Sequence, residues 1–197
     1  MFNMKKLLIT GFEPFGGEKI NPSWEAVNQL PNEINEYEIN KLRIPVVFGK
    51  ASKTVISKAE EIGVDAILCI GQAGGREAIT PELVGINLRN ASIPDNNGNQ
   101  PEDELIIEGG DCAFFSTLPV RKISKAINDC GIKSQVSYSA GAYVCNDVLY
   151  TLLAHFNKTE TRVAFIHVPY IKEQHKEPSV SLDDIVKGLI AAIQNMD

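Results

Sequence analysis

Short apolar runs alternate along this chain with segments whose apolar residues recur at helical spacing. Lys5 to Thr10 (Lys-Lys-Leu-Leu-Ile-Thr) is an apolar run stopped by Gly11, the pattern of a buried first strand. Asn21-Pro22-Ser23-Trp24-Glu25 reads as a helix start, with Asn21 as N-cap, Pro22 at the first helical position and acidic Glu25 in the first turn. Tyr37 to Val47 alternates loosely and predicts a strand ending near Pro45. Lys50 to Ile62 carries Ala51, Val55, Ile56, Ala59 and Ile62 on one helical face and is closed by Gly63, and Ala66 to Ile70 predicts another buried strand. Further strands are expected at Val84 to Leu88, Gln135 to Tyr138 and Arg162 to Val168. A helix begins near Leu118 and Pro119 and stops at Gly131, and Ser181-Leu182-Asp183-Asp184 opens a last helix with Ile185, Leu189, Ala192 and Ile193 on its apolar face. The β-α-β-α-β order predicts an α/β fold: a three-layer sandwich, its twisted, mostly parallel sheet covered by helices on both faces.

Composition narrows the class. The 197 residues suit one domain, 1-197, and 44% hydrophobic with 22% charged residues is ordinary for a globular protein. A net charge of −6 without a Lys/Arg cluster argues against a nucleic-acid surface. The apolar run at the N-terminus, Met1 to Thr10, is too short for a signal peptide, and no stretch approaches the roughly 20 apolar residues of a membrane span. The cysteines Cys69, Cys112, Cys130 and Cys145 form no CxxC pair, which fits reduced thiols in a cytoplasmic protein better than disulfides or a zinc site.

Several stretches carry candidate chemistry. Ser139, Ala140 and Gly141 permit a tight turn, after which Val144, Val148, Leu149, Leu152 and Leu153 mark a helix. Cys145 then sits in the first helical turn, where unpaired N–H groups and the helix dipole favour a thiolate. The stretch alone is equally compatible with a small buried cysteine on the core face. Glu82 precedes an apolar run, where a glutamate is more often solvated than catalytic. His167 stands at the carboxyl end of the last strand, where a lone histidine is more often a satisfied core residue. A cysteine nucleophile needs a histidine to handle its proton and an acceptor to orient that histidine, so Cys145, His167 and Glu82 supply the inventory. Their spacing does not show that they meet. Phe12 and Phe15 lie in a Gly/Pro loop off any periodic face, and Gly71-Gln72-Ala73-Gly74-Gly75-Arg76 leaves the carboxyl end of a strand, where open α/β sheets bind ligands. A 14-residue stretch dense in turn formers, 90–103, is expected to be functional or disordered.

These motifs, with Ile79-Thr80-Pro81-Glu82, Ile93-Pro94-Asp95-Asn96, Cys145-Asn146 and Phe165-Ile166-His167-Val168-Pro169-Tyr170, resemble the pyrrolidone-carboxylate peptidase (pyroglutamyl peptidase I) family in order over nearly the whole chain. The resemblance implies a cysteine exopeptidase acting on small peptides with N-terminal pyroglutamate, without metal or cofactor. It assigns Cys145 as nucleophile, His167 as general base and acid, and Glu82 as the residue orienting the histidine. Phe12 and Phe15 match the aromatic clasp on the pyrrolidone ring, Tyr143 and Val144 match further pocket positions, and Gln72 falls near the oxyanion. A homo-oligomer, commonly a tetramer, is also implied.

The chain departs from the bacterial pattern at three positions. Ser92 stands where an arginine precedes Ile-Pro-Asp-Asn, Leu83 where an arginine follows the glutamate, and Asp147 where a histidine is common. Arg89 is the candidate replacement near the oxyanion, and Asp147 is expected to oppose a thiolate at Cys145. Two alternatives follow: a pyroglutamyl-peptide-binding protein with weakened turnover, and a phosphorylase-like transferase, for which the chain has no phosphate motif.

Overall fold

The computed structural model describes residues 4–197; Met1 to Asn3, part of the stretch read for a signal segment, lie outside them. The elements run β1 (Lys5–Phe12), α1 (Pro22–Gln29), β2 (Glu33–Ile34), β3 (Tyr37–Ile44), α2 (Lys50–Ile62), β4 (Ala66–Gln72), β5 (Thr80–Glu82), β6 (Val84–Ile86), β7 (Ala113–Phe115), α3 (Val120–Asp129), α4 (Val144–Phe156), β8 (Arg162–Val168), β9 (Tyr170–Ile171), β10 (Ser179–Val180) and α5 (Leu182–Ile193). Among the described residues one six-stranded sheet has the order β2-β3-β1-β4-β8-β5. Strands β3, β1, β4 and β8 are parallel, and the edge strands β2 and β5 run antiparallel to them.

Strand periodicity sorts the core into two halves. Leu7 and Ile9 of β1, Leu68 and Ile70 of β4 and Ala164 and Ile166 of β8 pack under α1, α3 and α5. Leu8, Phe12, Ile67, Cys69, Val163 and Phe165 point the other way, under α2 and α4. Leu7, Leu8 and Ile9 are wholly buried, and each such side chain contributes about 1.5–3 kcal/mol of transfer free energy. A one-residue slip of β1 would exchange its two faces, so the register is firmly set.

The strand expected at Gln135 to Tyr138 is the main departure from the sequence reading. The chain there runs alongside β5, but only Ile79↔Ser134 and Glu82↔Ser137 form bridges. Gln135 N–H donates to Ile79 O, Ser137 N–H to Pro81 O and Leu83 N–H to Ser137 O. Pro81 has no N–H to return to Gln135, so the ladder is broken in its middle. The strand expected at Val84 to Leu88 is shortened to β6, which pairs with β7 outside the main sheet. The stretch 90–103 is an ordered wall: Asp95 accepts the N–H groups of Asn97, Asn99 and Phe48, and Asn96 Nδ2 donates to Glu13 Oε1 and Pro14 O, each at 3.0 Å. That wall is tied directly to the loop following β1.

Candidate active site

The candidate residues collect at the carboxyl ends of β1, β4 and β8. On β8, Phe165 faces α4, and His167, two residues on, extends the same face. Its register partner on β4 is Gly71. A Cβ at Gly71 would lie 2.7 Å from the Phe165 ring and 3.0 Å from Cys145 Sγ, so the missing side chain is the space the thiol uses. Cys145 is the second residue of α4, entered through Gly141 at φ +77°, as the turn pattern predicts. Asn146 fixes the helix start: buried, it accepts Ile86 N–H at 3.0 Å and donates to Ile86 O and Leu88 O at 2.9 Å. Sequence reasoning assigned Asn146 no role of its own.

Glu82 ends β5, the antiparallel neighbour of β8, and its Oε1 lies 2.7 Å from His167 Nδ1. Both side chains are buried. The same oxygen accepts Arg76 Nη1 at 2.6 Å, and Arg76 Nη2 donates to Ser139 O at 3.1 Å, joining this pair to the turn before α4. In the sequence Arg76 is only the end of a glycine-rich motif; its contact with Glu82 depends on the fold.

Phe12, Phe15, Gln72, Tyr143, Val144 and Cys145 line one narrow cleft, with Asn21 and Val46 as neighbours not anticipated from the sequence. Phe15 tilts against Tyr143 with ring centroids 6.2 Å apart, and the Tyr143 hydroxyl donates to Pro94 O at 3.0 Å. The wider groove along α2, lined by Lys50, Lys53 and Lys58, contains none of these residues. Among the described residues no cluster of His, Cys, Asp and Glu is arranged to hold a metal ion, and no helix is long and apolar enough to cross a membrane.

The electrostatics correct the expected thiol. Burial pushes the Cys145 pKa up to about 12, reinforced by the negative charge of Glu82; Arg76 and the residue's own backbone N–H pull it down by less. The helix-terminus effect is therefore outweighed by desolvation. Burial also lowers His167 below its ordinary value, with Arg76 adding to that and Glu82 opposing it. Burial pushes Glu82 upward, but hydrogen bonding and charge from His167, then Ser137 and Arg76, outweigh it and hold the carboxylate below its usual range. At neutral pH this gives a neutral thiol, a neutral imidazole and an ionised Glu82. An ionised carboxylate only accepts, so Nδ1 carries the imidazole proton and Nε2 keeps its lone pair.

Arg89 does not replace the arginine missing at Ser92. Its Nε donates to Asp147 Oδ1 at 2.6 Å, and its guanidinium lies 5.9 Å from the Phe48 ring centre. Asp147 is buried, accepts Gly49 N–H at 2.9 Å through Oδ2, and is not among the largest causes of the Cys145 shift. Positions i and i+2 of a helix do not face each other, and here the intervening charge is paired. Ser92 is exposed, and Leu83 packs against the core.

A parallel α/β sheet carrying a cysteine at a helix N-terminus, beside a buried Glu–His pair, defines the class of α/β cysteine peptidases. The family model for pyroglutamyl peptidase matches residues 5–197. The chain is 52% identical over 196 residues to the pyrrolidone-carboxylate peptidase of Staphylococcus haemolyticus, covering 96% of this chain and 92% of that one. It is 49% identical over 195 residues to that of Clostridium perfringens, with the same coverage. The crystal structure of Bacillus amyloliquefaciens pyroglutamyl peptidase I superposes with a TM-score of 0.93 at 45% identity, covering 98% of this chain and 96% of that one. A Pyrococcus furiosus pyrrolidone carboxyl peptidase mutant gives 0.92 at 40% identity, with 97% of each chain covered. The chain belongs to the pyroglutamyl peptidase family.

Proposed function

We propose that this chain hydrolyses the peptide bond after an N-terminal pyroglutamyl residue, with Cys145 as nucleophile, His167 as base and acid, and Glu82 as the group orienting His167. One observation carries the reading: the cleft walled by Phe12, Phe15, Tyr143 and Val144 opens directly onto Cys145. Pyroglutamate is small, flat and uncharged, so an apolar slot with an amide at its edge suits it better than a charged clamp.

The charge states support general-base activation rather than a standing thiolate–imidazolium pair. His167 Nε2 takes the thiol proton as Sγ attacks the pyroglutamyl carbonyl carbon, and Glu82 stabilises the imidazolium that forms. The tetrahedral oxyanion is held by first-turn N–H groups of α4, which have no intrahelical acceptor. Collapse breaks the C–N bond, and His167 gives its proton to the leaving amine. A water deprotonated by His167 then attacks the thioester, and Cys145 leaves and is reprotonated. The binding-only alternative gains no support, because the Glu82–His167 contact and the cleft do not involve Ser92, Leu83 or Asp147. The same reading carries a cytoplasmic setting, supported by the free state of Cys69, Cys112, Cys130 and Cys145. Family likeness alone supports a homo-oligomer, specifically a tetramer.

The test is fluorophore release from pyroglutamyl-aminomethylcoumarin by the native chain and by Cys145→Ser. Turnover abolished by the substitution is expected. Release that survives Cys145→Ser, or no release from folded, reduced native protein, would overturn the assignment.

A further inference from the structure

Backbone N–H groups can only donate, and this fixes the polarity of two linked glutamine amides, the second of which lines the cleft. Ile171 N–H, in β9, donates to Gln174 Oε1 at 3.1 Å. Gln174 is buried, in the short 3₁₀ turn Lys172–Gln174, and its other end is therefore Nε2. That nitrogen donates to Gln72 Oε1 at 2.9 Å. Gln72 is left with Nε2, a pure donor, and Gln72 lines the cleft beside Cys145. Turning Gln174 over would set its NH₂ against Ile171 N–H, and turning Gln72 alone would set two donors against each other. Both reversals leave buried polar groups unpaired.

The spacing between the two glutamines is also held. Ala73 N–H donates to Val168 O at 2.9 Å, and a Cβ at Gly74 would fall 2.1 Å from the Tyr170 hydroxyl oxygen. The loop that follows Gln72 is thus packed hard against the segment leading to Gln174.

We propose that Gln174 is a positioning residue that sets substrate specificity: by locking Gln72 through Oε1, it makes the cleft offer an N–H donor to the lactam carbonyl of the pyroglutamyl ring. The inference rests on the peptidase reading above. The lactam carbonyl is what a pyroglutamyl ring has and a prolyl ring lacks. A donor that cannot rotate away is satisfied by the first and left unpaired by the second. Sites built to hydrogen-bond a group reject the analogue without it far more strongly than apolar pockets reject a change in size.

Gln174→Glu tests this, because a carboxylate still accepts Ile171 N–H but also accepts from Gln72, which must then turn Nε2 toward it and present Oε1 to the cleft. With pyroglutamyl-aminomethylcoumarin, KM is expected to rise about 10- to 100-fold, the cost of facing two oxygens, with kcat changing far less. In a Gln72→Met background the same substitution should add no further rise, since Gln174 acts only through Gln72. A KM within about twofold of the native value, or a rise that persists in full without Gln72, would overturn the proposal. A second measurement needs no variant to keep its activity: 2-pyrrolidinone is titrated into native protein while the Gln72 Nε2 ¹H–¹⁵N signals, assigned by their loss in folded Gln72→Met, are followed. Their shift toward a stronger hydrogen bond supports the donor role, and signals unmoved at saturation refute it. Native protein that shows Cys145-dependent turnover but fails these tests sinks only the amide lock, whereas native protein without turnover sinks the peptidase reading.

Discussion

Replacing Arg89 by methionine separates a structural from a catalytic use of that cation. The Asp147 side chain is fully buried, and Arg89 holds its Oδ1 through Nε and Nη2, each at 2.6 Å, with only 22% of the Arg89 side chain exposed. Arg89→Met leaves the carboxylate in the interior with Gly49 N–H as its remaining donor. Breaking a buried pair from one side typically costs about 3–5 kcal/mol, and the partial exposure of Arg89 points to the lower end, about 3 kcal/mol. For a chain of this size each kcal/mol moves Tm by about 2–4 °C, so a fall of about 6–12 °C is expected. Turnover measured well below that Tm should stay within about threefold of native, because the pair lies on the far side of α4 from the thiol. The double substitution Arg89→Met with Asp147→Leu should recover most of the loss, since an apolar pair of similar volume often replaces a buried ion pair at little cost. Thermal melts followed by circular dichroism, with initial rates on the same samples, decide the matter. An unchanged Tm with kcat reduced about 100-fold would refute this reasoning and return Arg89 to the oxyanion.

The pH profile follows from the Glu82–His167 pair. His167 must be neutral to take the thiol proton and its folded-state pKa lies below 6.5, so kcat/KM should be flat at neutral pH and fall on the acid side with a midpoint below 6.5; a midpoint above 7 would contradict the assigned charge states. Glu82 is likewise lowered in the folded state, so both groups contribute stability that is complete above their ordinary values and lost as pH falls through their folded values; urea midpoints that do not decline between pH 6.5 and 4 would count against this. Gly71→Ala should cost about 1–3 kcal/mol and lower kcat, because its methyl would displace the Phe165 ring and Cys145 Sγ; native stability and rate in that variant would show that the thiol has room to spare.

Much of the scaffold was legible because local rules and tertiary packing agree. The Asn21 and Ser181 caps hold as written: Asn21 accepts Ser23 N–H, and Ser181 accepts Asp184 N–H. The run 135–138 misled because its apolar and polar residues look like a strand, whereas its ladder depends on a proline in the neighbouring segment. The thiol misled for a related reason: a helix N-terminus is a local feature, but the desolvation of Cys145 comes from tertiary packing, which places its thiol against Gly71 of β4.

By itself the sequence determined the five helices and the parallel strands β1, β3, β4 and β8, which face of each is apolar, and that a cysteine, a histidine and a glutamate stand at element ends. These follow from periodicity and capping, which act over a few residues. It did not show the short strands β2, β5, β7, β9 and β10. Only the tertiary structure decided that Arg76 binds Glu82 while Arg89 binds Asp147, that Gly71 makes room for the Cys145 thiol, and that Gln174 sets the amide of Gln72. Each of these contacts joins residues brought together by strand order and crossover, and its energetics depend on burial, which no local pattern encodes.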